Sequence, residues 1–216
     1  MLWWHDNRSI NNKRPKMNEI NEFGNDILKN DLFNEIDFRD LHLVCQEISF
    51  KEFCNCSFEG CKFSESLFRE CQFEDCNFKN CDLSLIKVSN SSLRGIEFKN
   101  SKLLGINWTD ATSPLSVNFT SCVINHSVFT RLSLRKINIV DCYASDVDFA
   151  EADLTQANFK QTNLLNARFL NTNLAHADFS DANSYSVNPN LNKLKKTKFS
   201  LPEAISLLSS FDIVLQ

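Results

Sequence analysis

Large apolar residues recur at every fifth position along most of the chain. These centres run in one register from Phe38 to Trp108 and then, one residue out of phase, from Phe119 to Phe179. A five-residue period matches neither the 3.6-residue repeat of an α-helix nor the two-residue repeat of a strand. A short period that is held over about 140 residues indicates a solenoid, in which each repeat packs on its neighbours.

The position two residues before each centre is small in the best-formed stretches, where it holds Cys, Ser, Ala or Thr. A large centre with a small partner two places earlier predicts that both side chains point inwards. The remaining positions carry Asn, Asp, Lys, Arg, Glu and Ser and are expected to face water. Bulkier residues occupy the small position elsewhere, and we expect less regular coils at Leu41, Gln46, Lys51, Ile86, Ile96, Ile106, Leu132 and Ile137.

The stretch ADLTQANFKQTNLLNARFLNTNLAHADF (152–179) resembles the A(D/N)LXX pattern of pentapeptide repeat proteins. The resemblance covers about residues 33–184 and implies an all-β fold, a right-handed quadrilateral β-helix with one pentapeptide on each side of the coil. Residues of successive coils would stack in ladders such as Phe58, Phe78 and Phe98, with strands about 4.8 Å apart. The 28 centres would form seven coils, a rod roughly 34 Å long.

The repeat divides the chain into three parts. Residues 1–26 are expected to be an N-terminal tail or an irregular cap. Residues 27–184 are predicted to form the pentapeptide-repeat β-helix, with a register break at 109–118. Residues 185–216 are predicted to form a polar connector, a helix and a tail, and the last five residues, DIVLQ, are predicted as a short strand.

The stretch SLPEAISLLSSF (200–211) predicts a C-terminal α-helical cap. Ser200 is a suitable N-cap with Glu203 three residues later, which is a capping-box pattern, and the apolar residues follow at helical spacing. KFSLPEAISLLSSFDI (198–213) resembles the end of the quinolone-resistance (Qnr-type) and microcin-immunity pentapeptide proteins, which join tail to tail. The helix therefore closes the last coil, or forms a homodimer, or does both. The candidate dimer interface is Leu201, Ile205, Leu208, Phe211 and Ile213.

The break in register lies in WTDATSPLSVNF (108–119). Its two flanking centres are eleven residues apart, so either one residue is added to two pentapeptides or one pentapeptide is lost inside a six-residue excursion. Qnr-type proteins carry a loop near mid-rod that contacts the topoisomerase. The resemblance implies a partner-contact loop here, whereas the alternative is a bulge that only shifts the register. The candidate loop residues are Trp108, Asp110, Thr112, Ser113 and Pro114.

Composition limits the chemistry and the location of the protein. The chain has nine cysteines and no apolar secretory region near its start, which favours free thiols in a reducing cytoplasm. No apolar run reaches membrane-spanning length, and no membrane partner is expected. The four His are scattered, without a catalytic or phosphate-binding motif. We therefore expect no enzymatic activity, no catalytic residue, no metal and no cofactor.

Charge alternates along the chain. Residues 31–82 hold 12 Asp and Glu against 5 Lys and Arg, residues 83–140 hold 2 against 7, and residues 141–182 hold 7 against 2. Direct nucleic-acid binding would need a continuous basic face, so none is expected. An acidic surface suits a protein that binds a DNA-binding protein. The candidate acidic surface is Glu59, Glu70, Glu74, Asp75, Asp148, Asp153 and Asp178.

Two functions agree with this pattern. The resemblance implies a DNA mimic, with the width and surface charge of B-DNA, that binds a type II topoisomerase such as DNA gyrase or topoisomerase IV. It would protect that enzyme from quinolones or from a peptide toxin. The alternative is a structural or interaction scaffold with another protein partner, because a fold alone does not define a function.

Overall fold

The structure is a computed structural model that describes residues 27–211 and 213. The predicted N-terminal tail (1–26) and most of the predicted strand DIVLQ lie outside the described residues. The described chain forms short strands joined by turns. In chain order they are β1 (Leu32–Asn34), β2 (Asp37–Arg39), β3 (Glu47–Ser49), β4 (Glu52–Cys54), β5 (Ser57–Glu59), β6 (Leu67–Arg69), β7 (Gln72–Glu74), β8 (Asn77–Lys79), β9 (Ser92–Arg94), β10 (Ile96–Lys99), β11 (Val117–Thr120), β12 (Ile139–Val140), β13 (Asp178–Phe179) and β14 (Lys198–Phe199).

All pairs among these strands are parallel and join successive coils. Strands β1, β4, β7 and β9 form one sheet, and β2, β5, β8, β10, β11 and β12 form a second. Shorter sheets pair β3 with β6 and β13 with β14. Before the break the register offset is 20 residues, as for Phe33 opposite Phe53 and Phe38 opposite Phe58. Four five-residue sides per coil account for this offset, so the predicted quadrilateral β-helix is confirmed, with about eight turns rather than seven.

The apolar centres stack in ladders inside the coil. The rings of Phe38, Phe58 and Phe78 lie nearly parallel, with centroid distances of 4.9 and 4.5 Å. Rings on adjacent sides meet edge to face, as for Phe53 and Phe58 at 5.5 Å. The spacing of about 4.8 Å between strands sets the distance between stacked rings of successive coils. The corner between two sides of a coil sets the edge-to-face contact between neighbouring rings. Both arrangements are favourable for aromatic pairs, so phenylalanine suits the interior of the coil.

The small position has a polar role as well as a steric one. The Cys71 thiol donates to the carbonyl oxygen of Ile48 at 3.3 Å, and the Thr162 hydroxyl donates to that of Ile139 at 2.7 Å. In both cases the acceptor belongs to a centre residue of the preceding coil. Burial raises the pKa of the Cys71 thiol, so the thiol keeps its proton and remains a donor. Cysteine thus fits this position because it is small, apolar and a weak donor.

Most corners of the coil pass through left-handed backbone. The residue two places after most centres has φ between 48° and 68°, as at Asp40 and Gly60. Asn, Asp and Gly tolerate this conformation, whereas a β-branched side chain does not. None of the described corner residues with positive φ is Val, Ile or Thr. The corner position therefore constrains residue choice even though its side chain faces water.

We expect Asn55→Val to lower the free energy of unfolding by about 1–2 kcal/mol, because Asn55 is a corner residue with φ of 51°. Asn55→Gly should leave stability within about 0.5 kcal/mol, since glycine adopts this conformation freely. Gln72→Val is the matched control, because Gln72 is an exposed strand residue in β7. Urea titration of the three variants measures the difference, and equal stability for the two valine variants would contradict the explanation.

The break adds one residue to a single side of one coil. Across it the register offset becomes 21 residues, as for Ile96 opposite Val117, and it returns to 20 for Val123 opposite Tyr143. A short 3-10 helix, Trp108–Asp110, precedes this side, and residues 111–116 form no strand over β9. Of the two interpretations, the structure supports one added residue in two pentapeptides.

The β-helix extends further than the predicted boundary at residue 184. Strand β14 pairs with β13, and the ring of Phe199 stacks on that of Phe179 at 5.1 Å. Residues 185–199 therefore form most of a last coil rather than a connector. The five-residue pattern misses this coil because Tyr185, which is buried, lies six residues after Phe179.

The C-terminal helix, Glu203–Phe211, is a 3-10 helix and not the predicted α-helix. The predicted capping box is also wrong, because the Ser200 hydroxyl oxygen accepts from the backbone N–H of Asp181 at 2.8 Å. The Ser210 hydroxyl donates to the carbonyl of Leu207 at 3.0 Å, a bond that competes with regular helical bonding. No helix among the described residues is long and apolar enough to cross a membrane.

Candidate functional site

A groove of about 770 Å³ lies on the side of the rod formed by β4, β7 and β9. Three consecutive coils line it, and Thr112 and Ser113 from the break line it as well. The break therefore contributes to the groove because it lies where the next strand of this same sheet would be. We call this surface the acidic groove, and its charged lining residues are Glu52, Glu70, Glu74 and Arg94.

The carboxylates of the acidic groove are not neutralised within the described chain. Glu52, Glu70 and Glu74 are exposed, and no described Lys or Arg nitrogen lies within 4.0 Å of their oxygens. Arg94 is the one cationic side chain among the described residues that line the groove. Burial and then the Glu74 carboxylate raise the pKa of the Cys54 thiol, which also lines the groove. The groove therefore presents net negative charge and an uncharged thiol.

The seven predicted acidic residues divide into two groups. Glu70 and Glu74 line the acidic groove, and Asp75 follows at the exposed corner after β7. The other four lie outside it and are held in ion pairs with cations that are mostly one coil away. These pairs are Glu59 with Lys79 at 2.8 Å and Arg39 at 3.7 Å, Asp148 with Arg168 at 2.9 Å, Asp153 with Arg135 at 3.0 Å, and Asp178 with Lys198 at 3.4 Å and Lys160 at 3.6 Å.

The candidate loop is only partly a surface. The indole of Trp108 has no exposed area and stacks on Phe129 at 5.7 Å, so the prediction that Trp108 contacts a partner is wrong. Its large apolar ring fills a centre position, and burial there outweighs the influence of the neighbouring loop residues. Asp110, Thr112, Ser113 and Pro114 are exposed as predicted, and the backbone N–H of Thr112 donates to the Ser91 carbonyl at 2.9 Å.

The predicted dimer residues form an exposed apolar surface at the C-terminal end. Leu201 is 79% exposed, and Ile205, Leu208, Phe211 and Ile213 are also exposed. Large exposed apolar groups in one place are typical of interaction surfaces. The structure therefore leaves these five side chains available to a second molecule.

The sequence pattern misses two charged residues of the groove, Glu52 and Arg94. Both lie on the same sheet as Glu74, and Arg94 is opposite Glu74 in the register. Reading the sequence in rows of 20 residues would have placed them together. Among the residues that the structure describes, no group of three or more His, Cys, Asp or Glu could hold a metal ion.

Ion pairs along the rod lower the pKa of several carboxyls. The Lys79 ammonium lowers the pKa of Glu59, and the Arg131 guanidinium lowers that of Glu151. Burial raises the pKa of Asp178, but hydrogen bonds from Ser180 and nearby lysines outweigh it, and the pKa is lower overall. Because the folded-state pKa lies below the unfolded one, each pair stabilises the fold above the ordinary carboxyl range.

We expect the free energy of unfolding to be lower at pH 3 than at pH 7, because the stabilisation is lost as the pH falls through the lowered pKa values. Urea titrations at several pH values between about 3 and 7 measure this. Glu151→Gln should show a smaller loss over the same range, since it lacks one of the shifted groups. Equal stability at both ends of the range would contradict the expectation.

The parallel ladders, apolar interior and ion-paired exterior define a class, the β-solenoids that present a rigid surface. Comparison with protein-family models shows which kind of β-solenoid the chain resembles. Residues 51–114 match the model described as "Pentapeptide repeat region", and residues 152–183 match "Pentapeptide repeats (8 copies)". These two stretches are pentapeptide repeats, and the chain resembles pentapeptide repeat proteins, Qnr among them, at the level of the fold.

Solved structures of the same fold support this identification. HetL, a pentapeptide repeat protein involved in heterocyst differentiation regulation from the cyanobacterium Nostoc sp. strain PCC 7120, is 15% identical with a TM-score of 0.57. That match covers 76% of this chain and 85% of HetL. Full-length QnrB1, a plasmid-mediated fluoroquinolone resistance protein, is 19% identical with a TM-score of 0.51, covering 84% of this chain and 100% of QnrB1. No curated protein sequence matches the chain.

Proposed function

We propose that this protein is a non-enzymatic rod that binds and protects a type II topoisomerase, such as DNA gyrase or topoisomerase IV, through its acidic groove. The observation that carries the proposal is the meeting of Glu70 and Glu74 with Thr112 and Ser113 in one groove. The acidic residues and the loop were separate features in the sequence. The likeness to QnrB1, a fluoroquinolone resistance protein, supports the choice of partner.

Electrostatics favours the acidic groove over the other acidic residues. Carboxylates such as Glu59 and Asp148 already have cationic partners, so a basic protein would have to compete with Lys79 or Arg168. The groove carboxylates have no such partner in the described chain and attract an approaching basic surface directly. A DNA-binding enzyme presents Lys and Arg where the phosphates of DNA would lie. The groove thus mimics DNA locally rather than along the whole rod.

Topoisomerase assays test the proposal. Purified protein should reduce quinolone-induced DNA cleavage by gyrase or topoisomerase IV, and Glu70→Lys with Glu74→Lys should raise the concentration needed by roughly tenfold. Glu65→Lys is the matched control, because Glu65 and Glu70 are both corner residues with positive φ but Glu65 lies outside the groove. No protection at micromolar wild-type protein, with no capture of either enzyme, would overturn the proposal.

A scaffold for another protein partner is the second candidate. The likeness to HetL, which is involved in regulating differentiation, favours it to the same degree as the likeness to QnrB1 favours the first. In that case topoisomerase assays show no effect, whereas the wild-type protein captures a different partner that the groove variants release. All nine cysteines are free, and either partner fits a cytoplasmic location.

The C-terminal apolar surface is proposed to join two copies tail to tail. Its five exposed side chains would be covered in such a homodimer, which removes apolar area from water. Leu208→Asp with Phe211→Asp should convert a dimeric mass in solution to a monomeric one. Leu85→Asp is the control, since Leu85 is also exposed but lies near mid-rod. A monomeric wild-type protein would contradict the dimer.

A further inference from the structure

The acidic groove is an unpartnered sheet face within reach of a basic segment of the same chain. Residues 8–16, RSINNKRPK, contain Arg8, Lys13, Arg14 and Lys16 and no acidic residue. They lie outside the described part of the chain, upstream of the first coil. We propose that this basic segment occupies the acidic groove in the free protein, so that any partner of the groove must displace it. The inference goes beyond the proposed function and does not depend on it.

Charge complementarity supports this occupant. The groove offers Glu52, Glu70 and Glu74, which have no cationic partner within 4.0 Å among the described residues. The basic segment carries four cations within nine residues. An anionic ligand such as a nucleic acid is repelled by this surface, so its charge favours a cationic occupant such as the basic segment.

The connecting chain is long enough. Lys16 precedes Ile27, which is buried in the core before the first coil, by eleven residues. An extended segment of that length reaches up to about 36 Å. The strands that line the groove follow β1 by one to three coils, which is a distance of roughly 5–15 Å along the axis at the strand spacing. The basic segment can therefore reach every carboxylate of the groove.

Tethering makes even a weak contact effective. A short linker gives the basic segment an effective concentration in the millimolar range. Exposed ion pairs contribute little individually, so three of them give a modest affinity that tethering can saturate. A topoisomerase or another basic partner then competes with the segment, and the affinity of the groove for that partner falls by the occupied fraction.

Zero-length carbodiimide crosslinking of the full chain tests the proposal, since it joins a lysine to a carboxylate only when the two are in contact. Peptide mapping should find Lys13 or Lys16 joined to Glu52, Glu70 or Glu74, and not to the matched corner residue Glu65. The crosslinks should disappear at about 1 M salt, where charges are screened within a few ångströms. Absence of the crosslinks at low salt, or equal yields at Glu65, would overturn the proposal.

Two further arms separate binding within one chain from binding between two chains and test for direct contact. Mixing isotope-labelled and unlabelled protein distinguishes the two sources of a crosslink. Mixed-isotope products in place of single-isotope ones would show that a second copy supplies the segment, which would overturn the proposal.

Replacing Arg8, Lys13, Arg14 and Lys16 with Glu should abolish the crosslinks. Adding Glu70→Lys and Glu74→Lys to that variant should restore them with reversed polarity, and failure of this restoration would count against direct contact.

Discussion

Phe58→Ala should lower the free energy of unfolding by about 3–5 kcal/mol, the largest loss that we expect from a single ladder residue. Phe58 is 2% exposed and stacks on Phe38 and Phe78, and it also contacts Phe53 and Phe63 edge to face. Truncation removes contacts with all four rings and leaves a cavity. The rigid ladder spacing prevents neighbouring coils from closing that cavity, because each coil is fixed by backbone hydrogen bonds above and below.

Urea unfolding followed by circular dichroism measures this loss. Phe50→Ala is the control, since Phe50 is a corner residue that is 62% exposed and contributes little buried area. We expect its effect to stay within about 0.5 kcal/mol. Similar losses for the two variants would show that the ladder does not dominate the stability of the rod.

Trp108→Ala should cost a similar amount, about 3–5 kcal/mol, whereas Trp108→Phe should cost less than about 1.5 kcal/mol. The indole fills the core beside the break, but its Nε1–H has no hydrogen-bond partner among the described residues. Phenylalanine keeps the stacking on Phe129 and removes this unsatisfied donor, which offsets part of the lost packing.

The same pair of variants tests whether Trp108 belongs to the core. If Trp108 were a partner contact, both variants would fold with wild-type stability and would lose binding. We expect instead that Trp108→Ala loses stability, whereas Trp108→Phe keeps most of the stability and retains partner binding. Thermal unfolding and a binding assay with the captured partner give the two readouts.

The fold could be predicted because one local rule is repeated many times. Each five-residue side needs a large centre such as Phe58 and a small residue such as Cys56. The same inward-pointing pattern therefore recurs in the sequence once for every side of the coil. The last coil escaped this rule because Tyr185 is displaced by one residue from the expected centre. Pairing of Phe199 over Phe179 is a long-range contact that restores the coil, and a local pattern contains no information about it.

The candidate site was predictable in its parts but not in its assembly. Exposure of Glu70 and Glu74 followed from their positions in the repeat, and exposure of Ser113 followed from its place in the break between repeats. Whether these residues lie together depends on which side of the coil the break occupies. That side can be assigned only once the register between coils is known. Ion pairing was also hidden, because Arg135 and Asp153 are 18 residues apart and meet only through the reach of the arginine side chain.

The added residue at the break has a geometric consequence for the whole rod. Because the extra residue is accommodated within one side, every later side keeps its orientation, and Phe119 still lies over Phe98. An insertion of about five residues would instead turn everything downstream by a quarter of a revolution. An insertion of one full coil would lengthen the rod by about 4.8 Å and preserve all orientations. Changes of length that preserve orientation therefore come in whole coils, and a partner that contacts both ends of the rod depends on its length and its rotation together.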